Sequence, residues 1–238
     1  MAAALGWGAL AASSLVVGAL LALVRRWDDR VIGLVLSFGA GALISGVSFE
    51  LAEEGIRIGS EAAVAIGLAL GAGTYFALDR VVKRMGKGAD LTLGAFLDGI
   101  PEQLVLGIGL AAGEGVSAGL LVAIFISNIP EATGASSDLL AKPSRRLVAA
   151  LRAGSAPRAV LLLWIAVAVV CAAATVAGFA IADAAGNEGR AGINGFAAGA
   201  LLVMLVDSMI PEARSKAGLP AGLVTVLGFA VAAGLSLS

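Results

Sequence analysis

Apolar runs of about twenty residues, separated by short polar connections, occupy almost the whole chain. A bilayer leaves only helices and closed barrels able to satisfy every backbone hydrogen bond, and runs of this length are typical of spanning helices. The hydrophobic fraction of 59% excludes an ordinary soluble domain. The sequence therefore predicts an all-α, polytopic membrane protein with one transmembrane domain, residues 1–238. Its eight predicted spans are 3–24, 31–53, 61–80, 91–112, 116–140, 158–183, 191–212 and 218–237.

Basic residues are concentrated in alternate connections between these spans. The first, third, fifth and seventh connections hold fourteen of the sixteen Lys and Arg residues, and the others hold only Arg57 and Arg190. Cytoplasmic loops of membrane proteins carry an excess of Lys and Arg. We therefore predict a multi-pass plasma-membrane protein whose termini are both extracytoplasmic. Its predicted surroundings are the lipid bilayer, and no nucleic-acid partner is expected.

A short sequence echo indicates an internal repeat. Residues 38–43 read FGAGAL, and residues 196–201 read FAAGAL, 158 positions later. The predicted spans that contain them cross the membrane in opposite directions. Similar segments of opposite direction are typical of the inverted repeats of secondary transporters, although six positions of low complexity can also match by chance.

Two motifs place polar groups inside apolar runs. FLDGIPEQ occupies 96–103 in the fourth predicted span, and FISNIPEA occupies 125–132 in the fifth. Ionisable groups within a membrane are energetically costly and usually mark an ion or substrate pathway. The alternative is that each proline is a packing kink and each glutamate a satisfied buried acid.

The first motif combines two carboxylates with a free carbonyl. Asp98 and Glu102 are four residues apart, so they share one helix face. Pro101 has no amide hydrogen, so the carbonyl of Leu97 loses its helical donor. The resulting oxygen-rich cluster suits a divalent cation.

The second motif repeats this arrangement. Ser127 and Glu131 are four residues apart, Asn128 lies between them, and Pro130 frees the carbonyl of Ile126. Both motifs lie at similar depth in adjacent antiparallel spans. We therefore predict that they join into one metal site.

Other polar residues are weaker candidates. Asp207 in the seventh span is a pathway candidate, and Glu50 near the outer end of the second span is either an entrance group or an interfacial one. Asp138 near the inner end of the fifth span is an exit group or a partner of Lys142. For Cys171, the only cysteine, the sequence predicts packing alone.

At these residues the chain resembles the Zrt/Irt-like protein (ZIP) family of divalent-metal transporters. The family's fourth span typically carries H-N-x-P-E-G, and matched position by position Asp98 stands for the His, Gly99 for the Asn and Glu102 for the Glu. The seventh span of the family has an H-E-L-I-P-E-S type of sequence, and residues 207–213 of this chain read DSMIPEA.

The fifth span of the family carries H-x-x-P-E or a close variant. Ser127 and Asn128 stand for its polar pair, and Glu131 stands for its Glu. The resemblance implies a metal site between the fourth and fifth spans and a three plus two plus three arrangement of helices, often in a homodimer. It also implies transport toward the cytoplasm by rigid motion of one helix bundle against another.

The chain departs from the family in its candidate ligands. It contains no histidine, and residues 159–182 hold no acid where the family often has a Glu for a second metal position. One all-oxygen site is therefore expected, and oxygen ligands suit Mg, Ca and Mn better than Zn. We predict a secondary transporter of a divalent metal such as Zn, Mn or Fe. No catalytic residue and no cofactor besides the transported ion is expected.

Two other functions are compatible with these residues. The first keeps the fold and is a proton-coupled carrier of another small cation, or a degenerate ZIP-like protein that binds metal weakly. The second is an intramembrane aspartyl protease built on Asp98 and Asp207, whose chemistry needs two carboxylates that share a proton at hydrogen-bond distance.

Overall fold

The computed structural model of the protein describes residues 1–84, 90–111, 117–141 and 155–236. These residues are almost all helical, and they contain no β-strand. The predicted all-α class is therefore confirmed for the described residues. Numbered in chain order, the helices are α1 Ala2–Val24, α2 Asp29–Ile58, α3 Glu61–Arg84, α4 Asp90–Ala111, α5 Ala118–Ala141, α6 Ala156–Ala184, α7 Asn187–Ala217 and α8 Ala221–Ser236.

Within the described ranges, six helices are long and apolar enough to cross a membrane, namely α1, α2, α3, α5, α6 and α7. Helix α8 is apolar but has only 16 residues. Helix α4 carries the FLDGIPEQ motif, which lowers its mean hydropathy. A multi-pass helical membrane protein is thus confirmed, whereas the count of eight spans stays a prediction. The span ends predicted at 112, 116 and 237 lie outside the described residues.

Helices α2 and α7 extend beyond the spans predicted from hydropathy. Helix α2 begins after Asp28, whose carboxylate accepts a hydrogen bond of 2.8 Å from the backbone N–H of Arg30. Helix α7 ends before Gly218, whose φ of 72° suits a helix C-terminus. Hydropathy marks only the apolar part of a helix, whereas the caps decide where the backbone hydrogen bonds stop.

Two helices contain a π-helical segment, Val47–Glu53 in α2 and Leu205–Met209 in α7. The two segments begin 158 positions apart, the same separation as the FGAGAL and FAAGAL echo. A π-helical turn widens the local hydrogen-bond ladder and often accompanies a functional site. The hydropathy pattern contains no signal for either segment.

Close packing at glycines joins α2 to α8 and α3 to α7. A β-carbon at Gly41 of α2 would collide with the carbonyl oxygen of Thr225 in α8, and one at Gly199 of α7 would collide with that of Leu68 in α3. Small residues let membrane helices approach this closely where lipid provides no hydrophobic drive for association. Because α2 also packs against α7, helices α2, α3, α7 and α8 form one packed group, which we call the outer group.

Close packing at glycines also joins α1 to α5 and α4 to α6. A β-carbon at Gly18 of α1 would meet the carbonyl oxygen of Ile129 in α5, and one at Gly178 of α6 would meet that of Leu104 in α4. Helix α1 also packs along α6. These four helices form a second group, the motif group, because it contains both proline motifs. The contact between α2 and α5 is the most extensive one between the two groups.

Candidate cation site

Asp98 of α4 is held by two helices of the outer group. Its carboxylate accepts a hydrogen bond from the hydroxyl of Tyr75 in α3 and another, of 3.2 Å, from the hydroxyl of Ser208 in the π-helical segment of α7. Hydrogen bonds to a carboxylate are stronger than those between neutral groups. Asp98 therefore links the motif group to the outer group.

Glu102 lies one turn further along α4 and is only 1% exposed. Its Oε1 accepts a hydrogen bond of 3.3 Å from the hydroxyl of Ser127 in α5. Its Oε2 has no hydrogen-bond partner among the described residues. An ionised carboxylate without a partner in an apolar interior is strongly unfavourable. This oxygen is therefore suited to accept a cation or a proton.

Ser127 and Asn128 connect this site to helices on either side of α5. Ser127 is buried against α2, where a β-carbon at Gly39 would lie 3.0 Å from its Cα. The amide nitrogen of Asn128 donates a hydrogen bond of 3.0 Å to Ser14 of α1. The amide oxygen of Asn128 is buried and, within the part of the chain that the structure describes, has no partner. Amide oxygens are ligands for hard cations.

Glu131 and Asp98, which come from different proline-containing helices, line one cavity of about 350 Å³. Glu102 does not line this cavity and lies one turn along α4 from Asp98. Asp138, which is exposed, lines the same cavity. The structure therefore places three of the sequence-predicted acids, Asp98, Glu131 and Asp138, on one surface.

Two ion pairs also line this cavity. Lys83 binds Asp79 near the end of α3 at 2.7 Å, and Lys216 binds Glu212 near the end of α7 at 2.6 Å. Both pairs are four residues apart on their helices. The cavity is thus lined by the C-terminal ends of α3, α5 and α7 and by the start of α4, and it contains both acidic and basic groups.

The predicted ligands converge only in part. Asp98 and Glu131 share the cavity, Glu102 is bonded to Ser127, and Asn128 is bonded to α1. In the arrangement described for residues 1–84, 90–111, 117–141 and 155–236, no three Asp, Glu, His or Cys side chains form a group that could hold a metal ion. Binding of a metal by all the candidates would require side-chain rotation.

The three pathway candidates lie in different places. Asp138 lines the cavity described above. Glu50 instead accepts hydrogen bonds from Ser117, just before α5, and from Ser236 in α8, the latter at 2.9 Å. Asp207 is exposed in the π-helical segment of α7 and does not line either cavity at Asp98.

No protein-family model matches the chain, and no curated protein is detectably similar to it. Membership of the ZIP family therefore stays a prediction.

Several residues beside the candidates were missed by sequence reasoning. Tyr75 is the only tyrosine of the chain and stands in an apolar span, which is a signal that could have been used. Ser208 directly follows Asp207, the acid that the sequence singles out. Cys171, for which the sequence predicts packing alone, places its sulfur against Gly99 of α4. Only the packing of α3, α6 and α7 against α4 identifies these contacts.

Proposed function

We propose that this protein is a membrane transporter for a divalent metal cation. The observation that carries the proposal is the shared cavity of Asp98 and Glu131, with the buried Glu102 one turn along α4 from Asp98. Acidic side chains inside a bundle of apolar helices are costly unless they bind an ion or a proton. Three carboxylates from two proline-containing helices attract a cation and replace part of its hydration shell.

In this proposal Glu102 and Glu131 are the principal ligands, supported by Asp98, Ser127 and Asn128. The unpartnered Oε2 of Glu102 and Oδ1 of Asn128 are acceptors that a metal would use. Oxygen–metal bonds of about 2.0–2.6 Å require these side chains to rotate toward one another.

The charge of the connections supports one orientation of the cavity in the membrane. The cavity lies where α3, α5 and α7 end, next to the connections that carry most of the Lys and Arg residues. By the positive-inside rule this end faces the cytoplasm, and both termini face outward across the plasma membrane. At the other end, Glu50 bridges Ser117 and Ser236. We assign the structure to a state in which the cation leaves toward the cytoplasm.

The packing supports an inverted repeat as the basis of alternating access. Gly41 and Gly199 are 158 positions apart, and their partners Thr225 and Leu68 are 157 apart. We propose that α1–α3 and α6–α8 are the two halves, with α4 and α5 between them, and that all eight helices span the bilayer. Motion of the motif group against the outer group then exposes the site to alternate sides.

One observation favours a second candidate. No three potential metal ligands among the described residues form a ready-made group. A proton-coupled carrier of another small cation, built on the same fold, needs only the buried carboxylates. In that case Glu102 carries a proton in exchange for the ion.

Uptake into proteoliposomes tests these proposals. The purified protein is reconstituted, and uptake of Mn, Fe, Zn, Cd, Co, Mg and Ca is measured together with internal pH. Glu102→Gln and Glu131→Gln should abolish uptake of divalent metal, whereas Glu61→Gln, at an exposed position at the start of α3, should not. Proton movement driven by a monovalent cation, without uptake of any divalent metal, would support the second candidate instead.

A further inference from the structure

Glu50 joins the end of α2 to the start of α5 and to the end of α8. It lies in the π-helical segment of α2, and its Oε1 accepts hydrogen bonds from the hydroxyls of Ser117, just before α5, and Ser236, in α8. The Ser117 hydroxyl in turn accepts a hydrogen bond of 3.1 Å from the backbone N–H of Leu120. We call Glu50, Ser117 and Ser236 the Glu50 contact. Because α2 and α8 belong to the outer group and α5 to the motif group, this contact connects the two groups.

A glycine lets α8 lie directly on the start of α5 at this contact. A β-carbon at Gly119, in the first turn of α5, would lie 2.8 Å from the hydroxyl oxygen of Ser236 and 3.1 Å from the carbonyl oxygen of Ala232. Ala232, one turn before Ser236 on α8, is buried. The start of α5 is therefore packed closely against α8 where the hydrogen bonds form.

Glycine contacts relate this end of the molecule to the end that holds the cavity. A β-carbon at Gly228 of α8 would collide with the carbonyl oxygen of Phe38 in α2, and one at Gly71 of α3 would collide with that of Phe196 in α7. Phe38 and Phe196 are 158 positions apart, and Gly71 and Gly228 are 157 apart. The contact of Gly41 with α8 and its counterpart have the same two separations. The pair α2 and α8 therefore matches the pair α7 and α3.

The counterparts of two members of the Glu50 contact line the cavity. By these separations Glu50 corresponds to Ser208 of α7, and Ser236 corresponds to Asp79 of α3. Ser208 and Asp79 both line the cavity of about 350 Å³, together with Gly94 near the start of α4. Matching helices therefore face a cavity at one end of the molecule, whereas at the other end they are hydrogen-bonded to the start of α5.

We propose that the Glu50 contact is a gate, which opens when the cavity lined by Asp79 and Ser208 closes. The proposal rests on the transport function proposed above and names the residues that control access to the site from one side of the membrane. In transporters with inverted repeats, one bundle moves against another around a fixed site. Such a motion of the motif group against the outer group separates the start of α5 from Glu50 and Ser236. A second cavity, the counterpart of the present one, then opens between them.

A disulfide across the contact tests whether it must open during transport. Because the hydroxyls of Ser117 and Ser236 bond the same oxygen of Glu50, cysteines at these two positions lie close together. The full-length protein carries Cys171→Ala, Ser117→Cys and Ser236→Cys, and cation uptake into proteoliposomes is measured before and after oxidation. Oxidation should abolish uptake, and a reductant should restore it. Oxidation should not change uptake when only one of the two serines is replaced. Undiminished uptake by the cross-linked protein would overturn the gate.

Thiol labelling tests the gate without any transport assay. In detergent, with Cys171→Ala as the background, the rate of maleimide labelling is measured at Ala232→Cys, behind the contact, and at Ala135→Cys, in the cavity wall. Adding Glu50→Ala should raise the rate at position 232 by about tenfold or more, because loss of a hydrogen bond to a carboxylate shifts an equilibrium between two conformations by that factor. It should lower the rate at position 135, because the cavity closes as the gate opens.

The matched control is Glu53→Ala. Glu53 is exposed in the same π-helical segment and is not part of the Glu50 contact, so this variant should change neither rate. Faster labelling at both positions in Glu50→Ala would indicate general loosening of the fold, and an unchanged rate at position 232 would indicate a contact that does not gate. Either result would overturn the gate. Failure of the wild type to take up any cation would refute the transport proposal, while the labelling rates would still decide whether the gate exists.

Discussion

Ser208 of α7 donates a hydrogen bond of 3.2 Å to Asp98 of α4. Because Tyr75 of α3 donates to the same carboxylate, this candidate ligand is bonded to two helices of the outer group while it belongs to the motif group. A cation bound at Asp98 would compete with both donors. Occupation of the site and the contact between the two groups are therefore coupled through one side chain.

Removal of these donors should loosen the contact and strengthen binding of the cation. In Tyr75→Phe or Ser208→Ala, the free energy of unfolding should fall by about 1.5–3 kcal/mol, the usual contribution of a hydrogen bond to a charged group. Metal-induced stabilisation should rise, because the carboxylate no longer has a competing donor. Thermal unfolding with and without Zn²⁺ measures both effects. Ser215→Ala, at an exposed position on α7, serves as the control and should change neither.

Neutralising Glu102 should separate its role in binding from its role in stability. In Glu102→Gln the metal-induced shift in melting temperature should disappear, and uptake should fall by at least tenfold, roughly the loss seen when supporting groups of metal sites are removed. The metal-free protein should be no less stable, because a buried acid without a full set of partners is replaced by a neutral group. Unfolding curves and uptake assays measure the two effects. A large loss of stability without metal would indicate a purely structural glutamate.

Asp98→His should change the selectivity of the site. An imidazole replaces a hard, charged ligand by a borderline one, so the Zn/Mn preference should increase. Competition uptake of the two ions measures the ratio, and the Irving–Williams order predicts that only the ratio changes, with Zn bound more tightly in both proteins. Equal ratios in wild type and variant would show that Asp98 is not a ligand.

Close helix contact at Gly199 should be sensitive to a single added methyl group. In Gly199→Ala the new β-carbon would collide with the backbone of Leu68, and we expect a loss of about 1–3 kcal/mol in the free energy of unfolding. At Gly73, on the exposed face of α3, an added β-carbon would meet no described atom within 4 Å beyond its own stretch of helix, so Gly73→Ala should be neutral or slightly stabilising. Unfolding of the two variants under identical conditions compares them. Similar stabilities would show that α3 and α7 do not pack so closely in the membrane.

Some features of this protein could be predicted because they depend on one helix at a time. The apolar run at 3–24 became α1, Ala2–Val24, since the length of a hydrophobic run is set by the bilayer. The shared face of Asp98 and Glu102 follows from the 3.6-residue period alone. The prolines at 101 and 130 lie inside helices that continue through them.

The contacts between helices could not be predicted in this way. Lipid tails and a protein interior are similarly apolar, so hydropathy gives the depth of a residue in the membrane but not the rotation of its helix. The hydrogen bond from Tyr75 to Asp98 and the contact of the Cys171 sulfur with Gly99 depend on those rotations. The sequence by itself determined which acids lie within apolar helical segments. Only the packing of the helices decided which groups stand beside them.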